Sequence, residues 1–553
     1  MGGQSIVNFD YAMAEGVKKS FKKHYHLNLA KAIELLTDNT DIAEIRVKVK
    51  TTIDQIEKKY WRYPSLESCK DYFYIEREYL VKEFGVDETL TEKCQKFAHE
   101  QATLETDRET YQAMEALVGN LNTMHSRAGA QVPFSSINYG MDTSPEARMV
   151  IKNLLLSTEQ GLGYGETPIF PIQIFRVKEG VNYNPEDPNY DLFQLAMRCS
   201  AKRLFPNFSF LDAPFNLAYY KGTPETEIAY MGCRTRVIGN VYDPSREVSP
   251  QRGNLSFTTI NLPRLGIEAN KDIDKFFKML DEKIDLVIAQ LLDRFEFQSH
   301  KKVYNFPFLM GQHLWMDSEK LSTTDEIGDI LKHGTLSMGF IGLAETLVAL
   351  TGKHHGENKE SQELGLKIIS HMRDRMDQTS KEMKMNFTLL ATPAEGLSGR
   401  FVKIDAKKYG KIPGITDKDY YTNSFHVPVY YSISAYDKIK TEAPYHALTN
   451  AGHISYIEMD GDPTQNLEAF EKVIRCMKES GIGYGSVNHP VDRDPVCGFT
   501  GIIGDTCPAC GRKDVGEAPF ERIRRITGYL VGTLDRFNDA KRAEVEDRVK
   551  HTT

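Results

Sequence analysis

Near its C-terminus the chain reads Arg525-Ile-Thr-Gly528-Tyr-Leu-Val-Gly-Thr-Leu-Asp535-Arg-Phe-Asn538. Alone this is a weak signal, because a glycine in such a setting is most often a turn residue. What stands before it gives it weight. Asn488-His489-Pro-Val-Asp-Arg-Asp494-Pro-Val-Cys497-Gly-Phe leads on to Cys507-Pro-Ala-Cys510-Gly-Arg. A Cys-x-x-Cys-Gly knuckle offers two thiolates and the tight turn that tetrahedral Zn²⁺ needs. The second knuckle is complete, whereas the first carries Asp494 where a four-thiolate ribbon has cysteine. Zinc also accepts carboxylate and imidazole, so Asp494 or His489 is expected to close the shell begun by Cys497, Cys507 and Cys510. The competing reading is a redox Cys-x-x-Cys pair. A closed ribbon of this kind is structural, since it leaves no position open to substrate.

Working back along the chain, Met231-Gly-Cys233-Arg-Thr-Arg is followed by Arg252-Gly-Asn254-Leu-Ser-Phe-Thr-Thr-Ile-Asn261-Leu-Pro-Arg264. Cys233, between a glycine and an arginine, reads either as a reactive thiol beside a cation or as a buried structural cysteine. Earlier still stands Asn122-Thr-Met-His125-Ser126-Arg127-Ala-Gly129-Ala-Gln131-Val-Pro-Phe. There a helix ends and a strand begins. Backbone N–H groups and Arg127 can bind an anion at such a place; the plainer reading is a polar loop with a C-cap at Gly129.

Composition sets the outer limits. The 553 residues carry a net charge of −8, a poor match to a polyanion, so nucleic-acid binding by bulk charge is not expected. An apolar content of 41% with 26% charged residues excludes disorder, collagen and coiled coil as the main state. Eight cysteines are too few for a disulfide scaffold, and three of them fall within 14 residues, which favours metal in a cytoplasmic chain. Gly334 to Gly352 is the most apolar stretch; broken by Glu345, it reads as a buried helix and not a membrane span. Met1-Gly-Gly-Gln-Ser has no charged region ahead of an apolar core, so no signal peptide is expected.

Periodicity predicts a mainly helical region over 1–130, with helical spacing in Tyr11–Tyr25 and Leu27–Leu36 and one or two helices over Asp87–Asn122. Pro133–Tyr139 and Thr167–Val177 read as strands. Lys271–Phe295 is an amphipathic helix with Ile273, Phe277, Leu280, Ile284, Val287 and Leu291 on one face. Short strands are predicted at Phe425–Ser432 and Ile454–Met459. Strands alternating with helices in this way make a large α/β domain.

The four quoted segments, in this order, resemble the anaerobic, class III ribonucleotide reductases over almost the whole chain. The resemblance implies a glycyl radical enzyme with a ten-stranded α/β barrel, a C-terminal zinc ribbon and a radical loop inserted into the barrel. It implies a core over 1–480, the ribbon over 481–515 and the radical loop and tail over 516–553. Gly528 resembles the glycine that stores the radical, and Cys233 the thiol that passes a hydrogen atom to it. Asn254 resembles the residue that helps place formate, the two-electron donor of one branch. His125, Ser126 and Arg127 are expected near the substrate. The implied partners are a radical-SAM iron-sulfur activating enzyme, ribonucleoside triphosphates, nucleotide effectors and a second copy of the chain.

The family's second active-site cysteine stands upstream of the Gly-Gly-Gln-Ser segment, which here follows Met1 directly. Cys69 and Cys94 sit in helical contexts unlike it. The ATP-cone domain and the first barrel strands also lack counterparts in the sequence. The barrel is therefore expected to be incomplete at its N-terminal edge, with a separate N-terminal fragment as partner. The other readings are a different glycyl radical enzyme, such as a pyruvate formate-lyase relative, and a silent structural or regulatory subunit.

Overall fold

Apolar strands that alternate with amphipathic helices can bury both faces of a sheet only if helices cover it from outside. The computed structural model, which describes residues 3–36, 41–67, 70–124, 132–514, 518–525, 528, 530–531 and 537–551, has this arrangement. Strands β1 (Gln4–Ile6), β2 (Ser135–Tyr139), β3 (Ile172–Val177) and β4 (Asn207–Phe210) run parallel. A short hairpin follows, β5 (Tyr230–Met231) and β6 (Thr235–Arg236). Next come β7 (Asn254–Asn261), β8 (Thr335–Ile341) and β9 (Asn386–Ala391), again parallel. Finally β10 (Ser455–Glu458) and β11 (Tyr484–Asn488) pair in parallel, and β11 lies antiparallel to β4 with Tyr484 opposite Ser209.

The first sheet thus has the order β1-β2-β3-β4-β11-β10. Gly452, just ahead of β10, bridges to Leu390 of β9, so the β7-β8-β9 sheet continues from it. Two sets of parallel strands meet head to tail at the β4–β11 seam. Among the described residues these strands number nine, one fewer than the ten expected, and no ladder joins β1 to β7. The α/β fold agrees with expectation; a closed ten-stranded ring is not what is observed.

Four helices, α1 (Phe9–Leu36), α2 (Ile42–Tyr60), α3 (Lys70–Phe84) and α4 (Glu88–Thr123), account for the helical N-terminal region. The two runs read in α1 are one helix, and Asp87 caps the single helix α4 by accepting from the Leu90 N–H at 3.0 Å. They share a core of their own around Phe21, Tyr25, Leu29, Ile53, Tyr72 and Ala98. Inside it the Glu76 carboxylate accepts hydrogen bonds from Tyr25 (2.6 Å), Tyr72 (2.8 Å) and Gln95 (2.8 Å). Burial raises its pKa against the pull of those donors. The amphipathic segment is the helix Ile273–Ser299, with Leu280, Ile284, Val287 and Leu291 buried.

Two expectations change. Gly334–Gly352 is not one buried helix: β8 ends and the helix Leu343–Thr351 begins at Gly342, whose φ of +73° suits glycine. Phe425–Ser432 is not a strand. The His426 N–H closes a turn on Asn423, Tyr431 closes one on Pro428, and the Val427 N–H is bound by the Glu442 carboxylate at 3.0 Å. These N–H groups serve turns and a side chain, and Pro428 has none to give, so the segment pairs with no strand among the described residues. No helix among the described residues is long and apolar enough to cross a membrane.

The helical cluster is joined to the sheet by a buried charge group. Asp10, in the first turn of α1, accepts from the N–H groups of Gly140 (2.8 Å), Met141 (2.9 Å) and Asp142 (3.2 Å) beyond β2. Arg176 of β3 lies between Asp10 (3.3 Å) and Glu227 (2.8 Å), and Tyr11 donates to Glu227 at 2.7 Å. All three charged groups are buried. Removing the cation leaves two buried carboxylates unpaired, which costs about 3–5 kcal/mol. Arg176→Leu should lower the apparent Tm of the full chain by several degrees in scanning calorimetry; an unchanged Tm would mean that this group does not anchor α1.

Candidate functional site

The β5–β6 hairpin carries Cys233 at its tip. Tyr230 pairs with Arg236 and Met231 with Thr235, and Gly232 turns the chain at φ +60°. Strand β2 fixes one side. Asn138 both donates to the Tyr230 carbonyl (2.8 Å) and accepts from its N–H (3.0 Å), while the Ser136 hydroxyl accepts from the Gly232 N–H (2.9 Å). Two buried guanidinium groups fix the other side. Arg234 donates to the Ala391 carbonyl (3.2 Å), Asn423 (3.3 Å) and the Tyr456 hydroxyl (3.3 Å). Arg236 donates to Asn216 (2.9 Å) and to the carbonyls of Phe215 (2.9 Å) and Asn450 (3.2 Å).

Burial pushes the Cys233 thiol up to about 11, although the Arg234 charge pulls the other way. At neutral pH the sulfur therefore keeps its hydrogen. That makes it a poor nucleophile, since the thiolate is the attacking form. It also makes it what hydrogen-atom transfer requires, an intact S–H bond.

Gly528 meets this tip from the opposite direction. Strands β12 (Val491–Arg493), β13 (Thr500–Gly501), β14 (Glu521–Arg525) and β15 (Leu530–Val531) form a small sheet in the order β13-β12-β14-β15. Arg525 pairs with Leu530, and Gly528 lies between these two in the sequence. A β-carbon on Gly528 would lie 2.1 Å from the Cys233 carbonyl oxygen and 2.4 Å from its Cα. Only glycine can stand there.

The Gly528 carbonyl accepts from Arg525 at 3.2 Å and from Asn207 at 3.4 Å. Arg525 is itself buried and held by Asn488 (2.7 Å) and the Leu204 carbonyl (2.5 Å); burial lowers its pKa to about 10, which leaves it charged. Asn207 also donates to the Tyr484 hydroxyl at 2.7 Å, and the Tyr484 ring stacks on Tyr230 with centroids 4.6 Å apart. Sequence reading missed Asn207. Its signal is a lone amide in the apolar run Leu204-Phe-Pro-Asn-Phe-Ser-Phe.

The other expected residues divide. Asn254 opens β7 at a register irregularity, and its amide donates to Thr335 (3.0 Å) and Ser337 (2.7 Å) of β8. His125, Ser126 and Arg127 lie outside the described residues. Asp494, Cys497, Cys507 and Cys510 come together, with their ligand atoms all within 4.8 Å of one another. Cys497 and Cys507 sulfurs are 3.6 Å apart, and Cys510 Sγ is 3.3 Å from Asp494 Oδ2. Zn–S bonds of ~2.3 Å in a tetrahedron give edges of about 3.8 Å, so the donor set fits zinc. Gly498 and Gly511, after the two knuckles, take φ of +78° and +74°. His489 is corrected: its imidazole is buried against the carbonyls of Ser200 (3.3 Å) and Pro490 (3.4 Å), apart from the cysteines. Burial lowers it to about 4, so the ring is neutral.

Gly528→Ala should expel the Gly528 segment from Cys233. A maleimide probe at pH 8 should label Cys233 slowly in the wild-type chain and many-fold faster in the variant. Equal rates would mean that the two segments do not shield each other.

The family profile described as anaerobic ribonucleoside-triphosphate reductase matches residues 1–551. The Escherichia coli K12 protein named anaerobic ribonucleoside-triphosphate reductase is 36% identical over 461 residues, which is 81% of this chain and 63% of that protein. The chain thus spans less than two thirds of that relative's length. In fold it resembles a solved structure titled anaerobic ribonucleotide reductase, with a TM-score of 0.64 and 14% identity over 99% of this chain and 90% of that one. It also resembles a glycyl radical enzyme from Archaeoglobus fulgidus, with a TM-score of 0.52 and 11% identity over 99% of this chain and 78% of that one. A match that runs from the first residue nearly to the last leaves one conclusion: the chain belongs to the anaerobic ribonucleoside-triphosphate reductase family.

Proposed function

We propose that the chain reduces ribonucleoside triphosphates to 2′-deoxyribonucleoside triphosphates by glycyl and thiyl radical chemistry, supplying DNA precursors. The observation that carries this reading is the backbone contact of Gly528 with Cys233. Glycine suits a stored radical because, without a Cβ, its α-carbon can flatten and share spin with both flanking amides. Asn207 and Arg525, donating to the Gly528 carbonyl, would hold that plane. Cys233 gives its hydrogen atom to Gly528, and the resulting thiyl takes the ribose 3′-hydrogen. The 2′-hydroxyl, protonated, then leaves as water; once the sugar has taken up two electrons, Cys233 returns the hydrogen to C3′ and recovers its own from Gly528. S–H and C–H bonds are close in strength, so each transfer is reversible.

Formate, placed with help from Asn254, supplies the two electrons and leaves as carbon dioxide. His125, Ser126 and Arg127 contact the substrate. A radical-SAM iron-sulfur activating enzyme installs the radical, nucleotide effectors tune the choice of substrate, and the working unit is a homodimer in the cytoplasm, alone or with an N-terminal fragment. In this reading residues 1–480 are the catalytic core, 481–515 the ribbon and 516–553 the radical loop and tail. Zinc, held by Cys497, Cys507, Cys510 and Asp494, is structural: it ties the ribbon together and so sets the base of the strand that leads to Gly528.

After anaerobic activation, electron paramagnetic resonance should show a glycyl doublet that Gly528→Ala abolishes. Cys233→Ser should keep the doublet and lose nucleotide reduction. No doublet, with the activating enzyme and an N-terminal piece supplied, would overturn the mechanism. Metal analysis should give about one zinc per chain, lost in Cys507→Ser.

A further inference from the structure

Three thiolates and a carboxylate form an unequal donor set. Thiolate sulfur is a soft, well-anchored ligand, whereas a carboxylate has two oxygens and can swing between them or bind through both. What fixes the carboxylate therefore decides how well the site closes. Here the two oxygens of Asp494 are not equivalent. Oδ1 accepts from the Val496 N–H at 2.9 Å, from Arg512 Nη2 at 2.7 Å and from Arg512 Nε at 3.1 Å. Oδ2 faces Cys510 Sγ at 3.3 Å, with Arg512 Nε at 3.2 Å. The Asp494 side chain is fully buried, so no solvent position competes for either oxygen.

Arg512 is fixed in turn. Its Nη1 donates to the Ala518 carbonyl at 2.7 Å, and its guanidinium lies over the Phe520 ring, 4.5 Å from the centroid. A planar fork held at both ends can orient a carboxylate in a way that a lysine point charge cannot. It also supplies a positive charge beside a shell whose four anionic donors exceed the two charges of the metal.

We infer that Asp494 binds the zinc through Oδ2 alone, and that Arg512 is the positioning residue that turns it that way. The inference rests on the zinc reading above. It assigns a role to an arginine that supplies no ligand atom. Oδ1, already bound by three N–H groups, has no geometry left for the metal, and the shell stays four-coordinate.

Outer-shell partners of this kind typically change metal affinity by 10–100-fold. The test uses the full zinc-loaded chain and follows zinc transfer to the chromogenic chelator 4-(2-pyridylazo)resorcinol. Arg512→Ala should release zinc about 10–100-fold faster than wild type, and Arg512→Lys should fall between. Asp494→Cys placed in the Arg512→Ala background should restore retention, because a thiolate needs no fork to aim it. In the cobalt-substituted protein, Asp494→Cys should strengthen the sulfur-to-metal charge-transfer band over wild type, as a fourth thiolate enters. Circular dichroism on each variant separates metal loss from unfolding.

Equal release from Arg512→Ala and wild type would overturn the inference. So would a double variant as labile as Arg512→Ala, since that would put the effect in the Ala518 and Phe520 contacts and not in the carboxylate. A wild-type chain that takes up no zinc under anaerobic, zinc-replete conditions would sink the metal reading itself and this inference with it.

Discussion

Two stretches of main chain have to touch at the centre of this molecule. The contact between Gly528 and Cys233 leaves no room for even one methyl group, and nothing in either short hairpin is strong enough to hold that approach unaided. The surroundings supply what the hairpins lack. Strand β2 grips the cysteine turn through Asn138 and Ser136. Arg525 and Asn207 grip the Gly528 segment through a single carbonyl. The antiparallel β4–β11 seam brings Asn207 and Tyr484 into reach of each other. Tyr484 stands opposite Ser209, two residues along β4 from Asn207, so the phenol and the amide lie on the same face of the seam.

Buried arginines recur in this scheme. Arg176, Arg234 and Arg525 are among the largest fully buried side chains. A guanidinium in the interior is costly unless its donors are met, and a planar group with five donors can meet several carbonyls at once. Arg234 and Arg525 are met largely by backbone carbonyls and neutral side chains, so each ties together segments distant in sequence. Arg176 is the exception, facing Asp10 and Glu227. It serves the junction of α1 with the sheet, away from the thiol loop.

How far the sequence could be read depended on whether a signal was local. The N-terminal helices, the amphipathic helix Ile273–Ser299 and the strands at β2, β3 and β10 follow from periodicity, and the knuckle glycines follow from turn chemistry. Phe425–Ser432 looked like a strand because its composition is aromatic and β-branched, but Pro428 and a distant carboxylate, Glu442, decided its backbone. Gly334–Gly352 looked uniform because apolar content does not record where a strand gives way to a helix; Gly342 does. His489 and Asp494 were equivalent candidates on spacing alone. They are separated by β12, which sends the aspartate to the knuckles and leaves the histidine against Ser200. Asn207 could not be connected with Gly528 at all, since the two stand 321 positions apart in the sequence.

The state of the Cys233 sulfur has one more consequence. Oxidation and alkylation of a thiol run chiefly through the thiolate, and a half-buried thiol pushed up to about 11 forms little of it. The sulfur is therefore guarded from oxidants and electrophiles by its protonation state, and not by being sealed off from its surroundings.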